Sequence, residues 1–349
     1  MRRFQASVVD LFCGVGGLTY GFRREGFRVA AGIDTDIRCR YAYERNSSAK
    51  FLVADVAKLS ASSIRPLFKK GSIRILAGCA PCQPFSLYRN GKKRGERWTL
   101  LDAFARLATS VGPEIITMEN VPQLVRHAVF KRFVKSLDSA GYWTSWYFAY
   151  GPEYGVPQRR KRLIFFASRL GAIEIVPPTH REDEFVTVRD AIGNLPPIRA
   201  GEQCKTDKLH RARNLRELNK KRIRATSAGG WWRDWDESLI LRCHKKKKGR
   251  TYRTVYGRMS WNRPAPTITT QCIGLGNGQF GHPSQHRAIS LREAALLQTF
   301  PKKYVFESVE KPLSMRSIAL HVGNAVPVRL AQIVARSIAR HLRLCGEAT

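Results

Sequence analysis

The sequence is short of acidic residues, of cysteines and of long apolar runs. It has 27 Asp and Glu against 61 Lys and Arg in 349 residues, a formal charge of +34 at pH 7, which excludes an acidic activation or scaffold protein. Its eight cysteines are too few for a disulfide-stapled secreted scaffold. No stretch approaches the roughly 18 apolar residues of a membrane span, and no signal-like segment opens the chain. We therefore expect an intracellular protein with reduced thiols, no membrane contact and a polyanionic partner.

The positive charge is most concentrated in residues 199–263, called here the basic block. It contains 20 basic residues against 6 acidic ones, and the lysine run 245–248 lies within it. Six aromatic residues are interleaved with these charges: Trp231, Trp232, Trp235, Tyr252, Tyr256 and Trp261. Basic side chains suit phosphates, and aromatic rings suit bases. The basic block therefore favours a nucleic-acid partner; the plainer alternative is a solvated loop whose tryptophans form a minor core.

Short apolar runs alternate with amphipathic stretches through the first half of the chain. This pattern is typical of βαβ units and predicts an α/β protein with a parallel sheet. We expect seven strands, near 7–12, 27–34, 50–55, 73–77, 114–118, 143–150 and 162–167. Beyond residue 180 the sequence is polar and rich in Gly and Pro, until helical periodicity returns at 291–298 and 327–344. A loop-rich second domain is therefore expected.

A glycine-rich segment, DLFCGVGG at residues 10–17, follows the first predicted strand. Its glycines let the backbone approach a nucleoside-type cofactor at the carboxyl end of the strand. The spacing is not G-x-G-x-x-G, because Thr19 occupies the third glycine position, and a pyrophosphate is therefore disfavoured. Asp34 ends the second strand, where a carboxylate can bind a ribose diol, and Asp55 ends the third, within reach of an adenine amino group. Such glycines and aspartates also occur in α/β proteins that bind no cofactor.

Two further strand ends carry reactive groups. The fourth strand leads into GCAPCQPFS, residues 78–86, where Cys82 lies between a proline and a glutamine and can serve as a nucleophile. Cys79 and Cys82 form a C-x-x-C pair, but the sequence lacks thioredoxin-like surroundings and a second Cys/His pair at ligand spacing, which argues against redox and zinc roles. Glu119 ends the fifth strand. Beside a nucleophilic cysteine, it suggests covalent catalysis in which the carboxyl meets a ring nitrogen.

Taken in order, these motifs resemble those of the DNA cytosine-5 methyltransferases over the whole chain. DLFCGVGG resembles the adenosylmethionine loop and PCQPFS the nucleophile loop. Further resembling motifs are ENV at 119–121, YGVPQRRKR at 154–162, RPAPTIT at 263–269, HP at 282–283, REA at 292–294, QTFP at 298–301 and GNAVP at 323–327. The departures from the family pattern are Cys79 where glycine is usual, Trp98-Thr99-Leu100 in place of the asparagine version, and His321-Val322 in place of Gln-Ile.

The resemblance implies a Rossmann-like, adenosylmethionine-dependent methyltransferase fold with a mixed, mostly parallel sheet. Residues 1–180 with 316–349 would form the catalytic domain, and 181–315 a smaller target-recognition domain with the hinge. The implied cofactor is S-adenosyl-L-methionine, released as S-adenosyl-L-homocysteine, and no metal is expected. The implied reaction methylates C5 of a cytosine in a specific double-stranded DNA sequence, through base flipping and a covalent Cys82–C6 intermediate.

These expectations assign roles to individual residues. The catalytic residues would be Cys82, Glu119, Arg160 and Arg162. The cofactor would contact Leu11, Phe12, Cys13, Gly14, Gly16, Gly17, Leu18, Asp34, Thr35, Asp55, Val56, Pro81, Leu100, Asn324, Ala325 and Val326. The DNA would contact Pro81, Gln83, Ser86, Asn120, Gln158, Trp231, Trp232 and Arg258. Cys79 is expected to be a packing residue.

Two alternatives stay open at this level. A tRNA cytosine-5 methyltransferase of the same fold would share the PCQ and ENV motifs, although the long basic block argues against it. A catalytically silent DNA-binding protein would keep the fold, although the catalytic residues are intact. We expect a monomeric, cytoplasmic, prokaryotic enzyme that acts on DNA in restriction-modification, with a cognate restriction endonuclease as a candidate partner.

Overall fold

The computed structural model describes residues 5–81, 99–247, 249–252 and 254–346. Its strands are β1 (Ala6–Leu11), β2 (Arg28–Asp34), β3 (Lys50–Val53), β4 (Ile73–Gly78), β5 (Ile115–Asn120), β6 (Trp143–Tyr150), β7 (Gln158–Arg159), β8 (Lys161–Ser168) and β9 (Ala265–Pro266). Its α-helices are α1 (Gly17–Arg24), α2 (Arg40–Ser47), α3 (Ala61–Ile64), α4 (Thr99–Val111), α5 (Ala128–Ser139), α6 (Val188–Ile192), α7 (Glu217–Arg224), α8 (Arg242–Lys245), α9 (Leu291–Leu297), α10 (Met315–Asn324) and α11 (Val328–Leu344).

Seven of the described strands form one sheet in the order β3-β2-β1-β4-β5-β8-β6. Neighbouring strands from β3 to β5 run parallel, and β8 is antiparallel to both β5 and β6. The expected seven strands and the α/β class with a mostly parallel sheet are confirmed. The chain leaves β1 towards β2 and β3 on one side and returns to β4 on the other. Such a switch point opens a crevice at the carboxyl ends of the strands, where α/β proteins bind their ligands.

Helices cover both faces of the sheet, and successive side chains of a strand pack against opposite helix layers. Val8 of β1 belongs to a core cluster that includes Phe22 of α1 and Ile333 of α11. The next residue, Val9, belongs to the cluster that includes Phe104 of α4 and Phe133 of α5. The C-terminal helix therefore packs on the N-terminal half of the chain.

One stretch of the described chain, Met315–Leu344, is long and apolar enough to meet the criteria for a membrane span. However, 72% of its most apolar 18-residue segment is buried inside the fold. The stretch is also divided at residues 325–327, between α10 and α11. Its apolar character is accounted for by core packing, as in the interior helices of other folded proteins.

Between β8 and α10, the described residues form short helices, turns and the strand β9, which pairs over two residues with β7, the short strand just before β8. A small cluster of Leu215, Ile223, Leu275 and Ala288 lies wholly within this part. Other residues of the same part, such as Leu291 and Phe300, join the large core under the sheet. Because that core is continuous, the division at residues 180 and 315 stays a prediction.

Candidate active site

The carboxyl ends of the parallel strands border one cavity of about 770 Å³. Its lining includes Asp34 at the end of β2 and Asp55 just after β3. It also includes Pro81 after β4 and Glu119 near the end of β5. The last residue of α10, Asn324, and the segment that follows it close another side. A cavity of this size lies in the usual range of ligand pockets.

The glycine-rich loop after β1 adopts backbone angles that most residues reach only with strain. Phe12, Gly14 and Gly16 have positive φ angles of 59°, 50° and 91°. Gly17 is needed for a different reason, since a Cβ atom there would come within 2.3 Å of the Val326 carbonyl oxygen. The loop and the segment after α10 are therefore in close contact, and both line the cavity.

Asp34, at the end of β2, supports this loop. Its Oδ2 accepts a hydrogen bond from the Gly14 N–H at 2.9 Å, and its Oδ1 accepts one from the Asp36 N–H at 2.9 Å. Each carboxylate oxygen can accept a second bond, so Asp34 can shape the loop and still face a ligand. Asp55 has a similar position, because its Oδ1 accepts the Ala57 N–H at 3.0 Å while the residue lines the cavity.

Asp36 connects this side of the cavity to α10. Its carboxylate accepts two bonds of 2.8 Å from the Arg38 guanidinium, and its Oδ2 lies 3.0 Å from Nε2 of His321. Hydrogen bonds from Arg38 first, and then from His321, lower the pKa of Asp36 to about 2 against the opposing effect of burial. The side-chain atoms of Asp36, Cys39 and His321 that could coordinate a metal ion lie within 4.8 Å of one another. Because Arg38 binds both oxygens of Asp36, we assign no metal to them.

Asp10 is the most buried acidic residue of the cavity wall. It is 1% exposed, and its Oδ2 accepts a hydrogen bond of 2.6 Å from the Thr19 hydroxyl. Within the described chain, its Oδ1 has no hydrogen-bond partner. Burial raises the pKa of Asp10 to about 7, although the Thr19 bond acts in the opposite direction. A buried oxygen without a donor marks a place where a ligand can supply one.

Most residues predicted to contact the cofactor line the cavity. They are Phe12, Cys13, Gly14, Gly17, Leu18, Asp34, Thr35, Asp55, Val56, Pro81, Leu100, Asn324, Ala325 and Val326. The structure corrects two others. Leu11 is fully buried in the core that contains α4 and α5. Gly16 lies against the Tyr43 ring, which would be 3.0 Å from a Cβ atom at position 16. Gly16 therefore packs against the core and not against the cavity.

Glu119 lies at the opposite end of the cavity and is 3% exposed. Its Oε1 forms an ion pair of 3.0 Å with Nε of Arg162, on the neighbouring antiparallel strand β8. Its Oε2 accepts a hydrogen bond from the Cys79 thiol at 3.0 Å. These contacts offset the cost of burying a carboxylate. The expectation that Cys79 only packs is corrected, because its sulfur contacts Glu119.

The segment after β4 is supported by Asn120. The Asn120 side chain donates to the Ala80 carbonyl at 3.2 Å and is 3% exposed, so the structure replaces its expected DNA contact with a role in holding the backbone before Pro81. Arg160 borders the cavity and donates to the Ile268 carbonyl at 3.3 Å. The predicted residues Cys82, Gln83 and Ser86 lie outside the described residues.

Two further residues expected at the DNA are buried in the structure. Gln158 is fully buried, donates to the Leu297 carbonyl and to Oε1 of Gln298, and accepts the Ile268 N–H. Arg258 is 3% exposed. Its guanidinium donates to carbonyl oxygens of Ile223, Thr226, His282 and Gln285. Both expectations are corrected, because these polar groups are already satisfied by the protein.

The two tryptophans expected at the DNA have different surroundings. Trp232 is 5% exposed, donates to the Tyr252 carbonyl at 2.8 Å and stacks 4.5 Å from His244. The expected DNA contact of Trp232 is therefore corrected to a core position, which favours the minor-core alternative for this residue. Trp231 is half-buried, with the Arg233 guanidinium 4.7 Å above its ring, and its DNA contact stays a prediction.

A second cavity, of about 310 Å³, lies beside Arg159 and Arg263. Both arginines are exposed, unlike Arg258. Neither was predicted to contact DNA, although each belongs to a motif that the sequence shows, YGVPQRRKR and RPAPTIT. Their exposure and their position beside this cavity make them the better-placed cations for a phosphate.

Sequence reasoning also missed part of the main cavity wall. The missed lining residues are Asp10, Val15, Asp36, Cys39, Ala54, Ala57, Cys79, Ala80, Val121, Leu320, His321 and Gly323. Some signals were present. Asp10 opens the glycine-rich segment. Cys79 and His321 depart from the family pattern, and each of these two contacts an acidic residue of the wall.

The fold and the cavity define an α/β enzyme that holds its ligands at the switch point of a mostly parallel sheet. Comparison with known protein families shows which kind of enzyme this is. The model of the C-5 cytosine-specific DNA methylases matches residues 6–340. The chain belongs to this family and is a DNA (cytosine-5-)-methyltransferase, as the motifs predicted.

Curated relatives agree with this assignment. The chain is 48% identical over 339 residues to the Type II methylase M.HgiDII of Herpetosiphon aurantiacus, covering 96% of each protein. It is 29% identical to the Type II methyltransferase M1.HphI of Haemophilus parahaemolyticus, covering 95% of this chain and 86% of the relative. Among solved structures, it resembles an E. coli prophage-encoded protein described as a DNA modification methyltransferase, with a TM-score of 0.73, 22% identity and coverage of 97% and 99%. That structural likeness supports the fold.

Proposed function

We propose that this methyltransferase moves a methyl group from S-adenosyl-L-methionine to C5 of a cytosine in a specific double-stranded DNA sequence, with the base flipped out and Cys82 bonded to C6. The observation that carries this proposal is one cavity that contains Asp34 and Asp55 at one end and the Glu119–Arg162 pair at the other. Direct transfer requires the methyl donor and the reacting base to be held side by side.

The described wall fits S-adenosyl-L-methionine. Asp34 and Asp55 offer acceptors suited to ribose hydroxyls and to an adenine amino group. Oδ1 of Asp10, buried and without a partner among the described residues, offers a further acceptor for a donor group of the ligand. When bound, the cofactor supplies an electrophilic methyl group on a sulfonium.

The protein must first make the cytosine ring reactive, because C5 within an aromatic ring is a poor nucleophile. We assign to the Cys82 thiolate the attack on C6, which converts the ring to an enamine. Glu119 gives or shares a proton at N3, so that negative charge does not accumulate on the ring, and Arg162 beside it faces the O2 side. After C5 has taken the methyl group, loss of its proton and elimination of Cys82 release the product.

C5 of a cytosine cannot reach this cavity from within a duplex, so the base must be flipped out, at a cost of a few kcal/mol. Pro81, Gln83, Ser86 and Arg160 are assigned to holding the flipped nucleotide. The exposed Arg159 and Arg263, together with the lysine run, are assigned to phosphates. Trp231 is retained as a contact to the DNA.

The cellular setting forms part of the same proposal. Residues 1–180 with 316–349 act as the catalytic domain, and 181–315 as the target-recognition domain. The names of the two curated relatives support a Type II modification role, for which a cognate restriction endonuclease is the partner. The enzyme acts as a monomer on cytoplasmic DNA of a prokaryote.

A duplex that carries 5-fluorocytosine at the target position tests the covalent step. Fluorine cannot leave C5 as a cation, so the enzyme should stay bonded to the base after methyl transfer and survive denaturation as an adduct. Peptide mapping should place the nucleotide on Cys82. Cys82→Ser should form no adduct and methylate nothing, whereas Cys345→Ser, at an exposed cysteine, should behave like the parent enzyme.

The substrate class is tested in parallel with labelled S-adenosyl-L-methionine. Label should enter duplex DNA and not tRNA, and sequencing of methylated cytosines in DNA from expressing cells should show one recognition sequence. Incorporation into tRNA alone, or an adduct on a residue other than Cys82, would overturn the proposal.

A further inference from the structure

We propose that Cys79 is a positioning residue that fixes the orientation of the Glu119 carboxyl for the cytosine. This inference rests on the role given to Glu119 in the proposed function. It starts from a contact that the sequence did not predict, the 3.0 Å hydrogen bond from the Cys79 thiol to Glu119 Oε2. Both residues line the main cavity.

The backbone of Cys79 is fixed by the sheet. Its N–H donates to the Leu11 carbonyl at 3.4 Å, and β4 and β5 are paired in parallel up to Gly78 and Met118. Cys79 and Glu119 therefore follow the last paired residues of two neighbouring strands. This register brings position 79 next to Glu119, and the Cys79 thiol contacts the carboxyl. A glycine, which has no side chain, could not make that contact.

The two oxygens of Glu119 have different surroundings. Oε2 accepts the thiol hydrogen bond. Oε1 lies 3.0 Å from Arg162 Nε in an ion pair, but it takes no aligned hydrogen bond from the described residues. Because Oε1 takes no such hydrogen bond, it is the carboxyl oxygen that can meet the ring edge of a base. Holding Oε2 from the other side stops the carboxyl from rotating and keeps Oε1 presented.

The choice of donor also has a chemical consequence. A thiol is a weaker hydrogen-bond donor than a hydroxyl, so Ser at position 79 would strengthen the contact to Glu119 Oε2 and Ala would remove it. Glu119 must carry or share a proton with N3 during ring activation. A stronger donor at position 79 would stabilise the carboxylate and oppose that protonation, whereas removal of the donor would have the reverse effect.

The test compares Cys79→Ser, Cys79→Ala and the parent enzyme on cognate duplex, with kcat and KM measured across pH. We expect Cys79→Ala to lower kcat by about 10-fold, the size of one hydrogen bond, with little change in the KM for the cofactor. We expect Cys79→Ser to keep more of the activity. The alkaline limb of the pH profile of kcat should move to higher pH in Cys79→Ala and to lower pH in Cys79→Ser.

Opposite displacements of that limb cannot arise from lost packing, which would affect both variants alike. Cys345→Ala, at an exposed cysteine far along the chain, is the matched control, and thermal midpoints show whether each variant folds. Folded variants whose limbs stay in place, or move in the same direction, contradict the positioning role. Glu119→Gln separates the two proposals: if it methylates at the normal rate, the proposed role of Glu119 fails, whatever Cys79 does.

Discussion

The cavity wall and the basic block differ in how they use their polar groups. Along the wall, Asp10 and Glu119 line the cavity, and each has one buried carboxylate oxygen that takes no hydrogen bond from the described residues. In the basic block, two of the side chains expected at DNA turn inward: Arg258 donates to four carbonyl oxygens, and Trp232 is 5% exposed. High charge and aromatic content in a loop-rich segment therefore do not identify the residues that touch DNA. Exposed cations beside a cavity, such as Arg263, are the better candidates.

The largest effect that sharpens this contrast is expected for Arg258→Ala. The substitution leaves several buried carbonyl oxygens without a donor, each at a cost of about 1–3 kcal/mol, and we expect a total loss of about 3–5 kcal/mol in the free energy of unfolding. Denaturant unfolding followed by tryptophan fluorescence measures it. Arg263→Ala, at an exposed position, should change the free energy of unfolding by less than about 0.5 kcal/mol and weaken DNA binding. A stable Arg258→Ala protein with a defect in DNA binding alone would reverse the comparison.

On the cavity side, Asp34→Ala should weaken S-adenosyl-L-methionine binding by about 1.5–3 kcal/mol, the range of a charge-assisted hydrogen bond. Loss of the Gly14 contact adds to this effect, because Asp34 also supports the glycine-rich loop. Calorimetry on the free enzyme checks it, with Asp102→Ala as the control, since Asp102 pairs with Arg132 on the surface. Unchanged affinity would remove Asp34 from the cofactor site.

Two carboxyls of the wall should give opposite pH dependences of stability. Asp10 has a pKa raised to about 7 from 3.8, so its contribution is fully present below about pH 4 and is lost as the pH rises through 7. Asp36 has a pKa lowered to about 2 from 3.8, so its contribution is present above pH 4 and is lost as the pH falls towards 2. Thermal midpoints of Asp10→Asn should decline less between pH 4 and 7 than those of the parent, and midpoints of Asp36→Asn should decline less below pH 4. Parallel curves for all three proteins would show that neither group titrates as described.

The smallest effect is expected from the lysine run. Lys245, Lys246 and Lys247 are exposed, so they suit phosphates and carry no sequence information. Replacement of residues 245–248 by alanine should weaken binding to cognate and random duplex by the same factor, about 10-fold at low salt, and flatten the dependence on salt concentration. Titrations at several salt concentrations measure both. A loss confined to cognate DNA, with the salt slope unchanged, would assign base readout to this run.

The predictable part of the site was the part attached to strand ends. Asp34, Asp55 and Glu119 were found because the carboxyl ends of parallel strands share one edge of a sheet. Gln158 was misassigned because its motif can be recognised in the sequence but its burial cannot. Its side-chain amide nitrogen donates to Leu297 and Gln298, and its amide oxygen accepts from Ile268. Such contacts span more than 100 residues of sequence, and no local pattern indicates them.

The sequence by itself determined the α/β class, the seven strands of the main sheet and the methyltransferase family, because strand periodicity and the order of short motifs are local properties. Only the tertiary structure decided what Cys79 and His321 do. Each stands where the family has another residue, and the fold brings each against a carboxylate of the cavity wall, Glu119 for the first and Asp36 for the second. The physical reason is that a side-chain hydrogen bond depends on distances of about 3 Å, and such distances between remote residues are set when strands pair and helices pack.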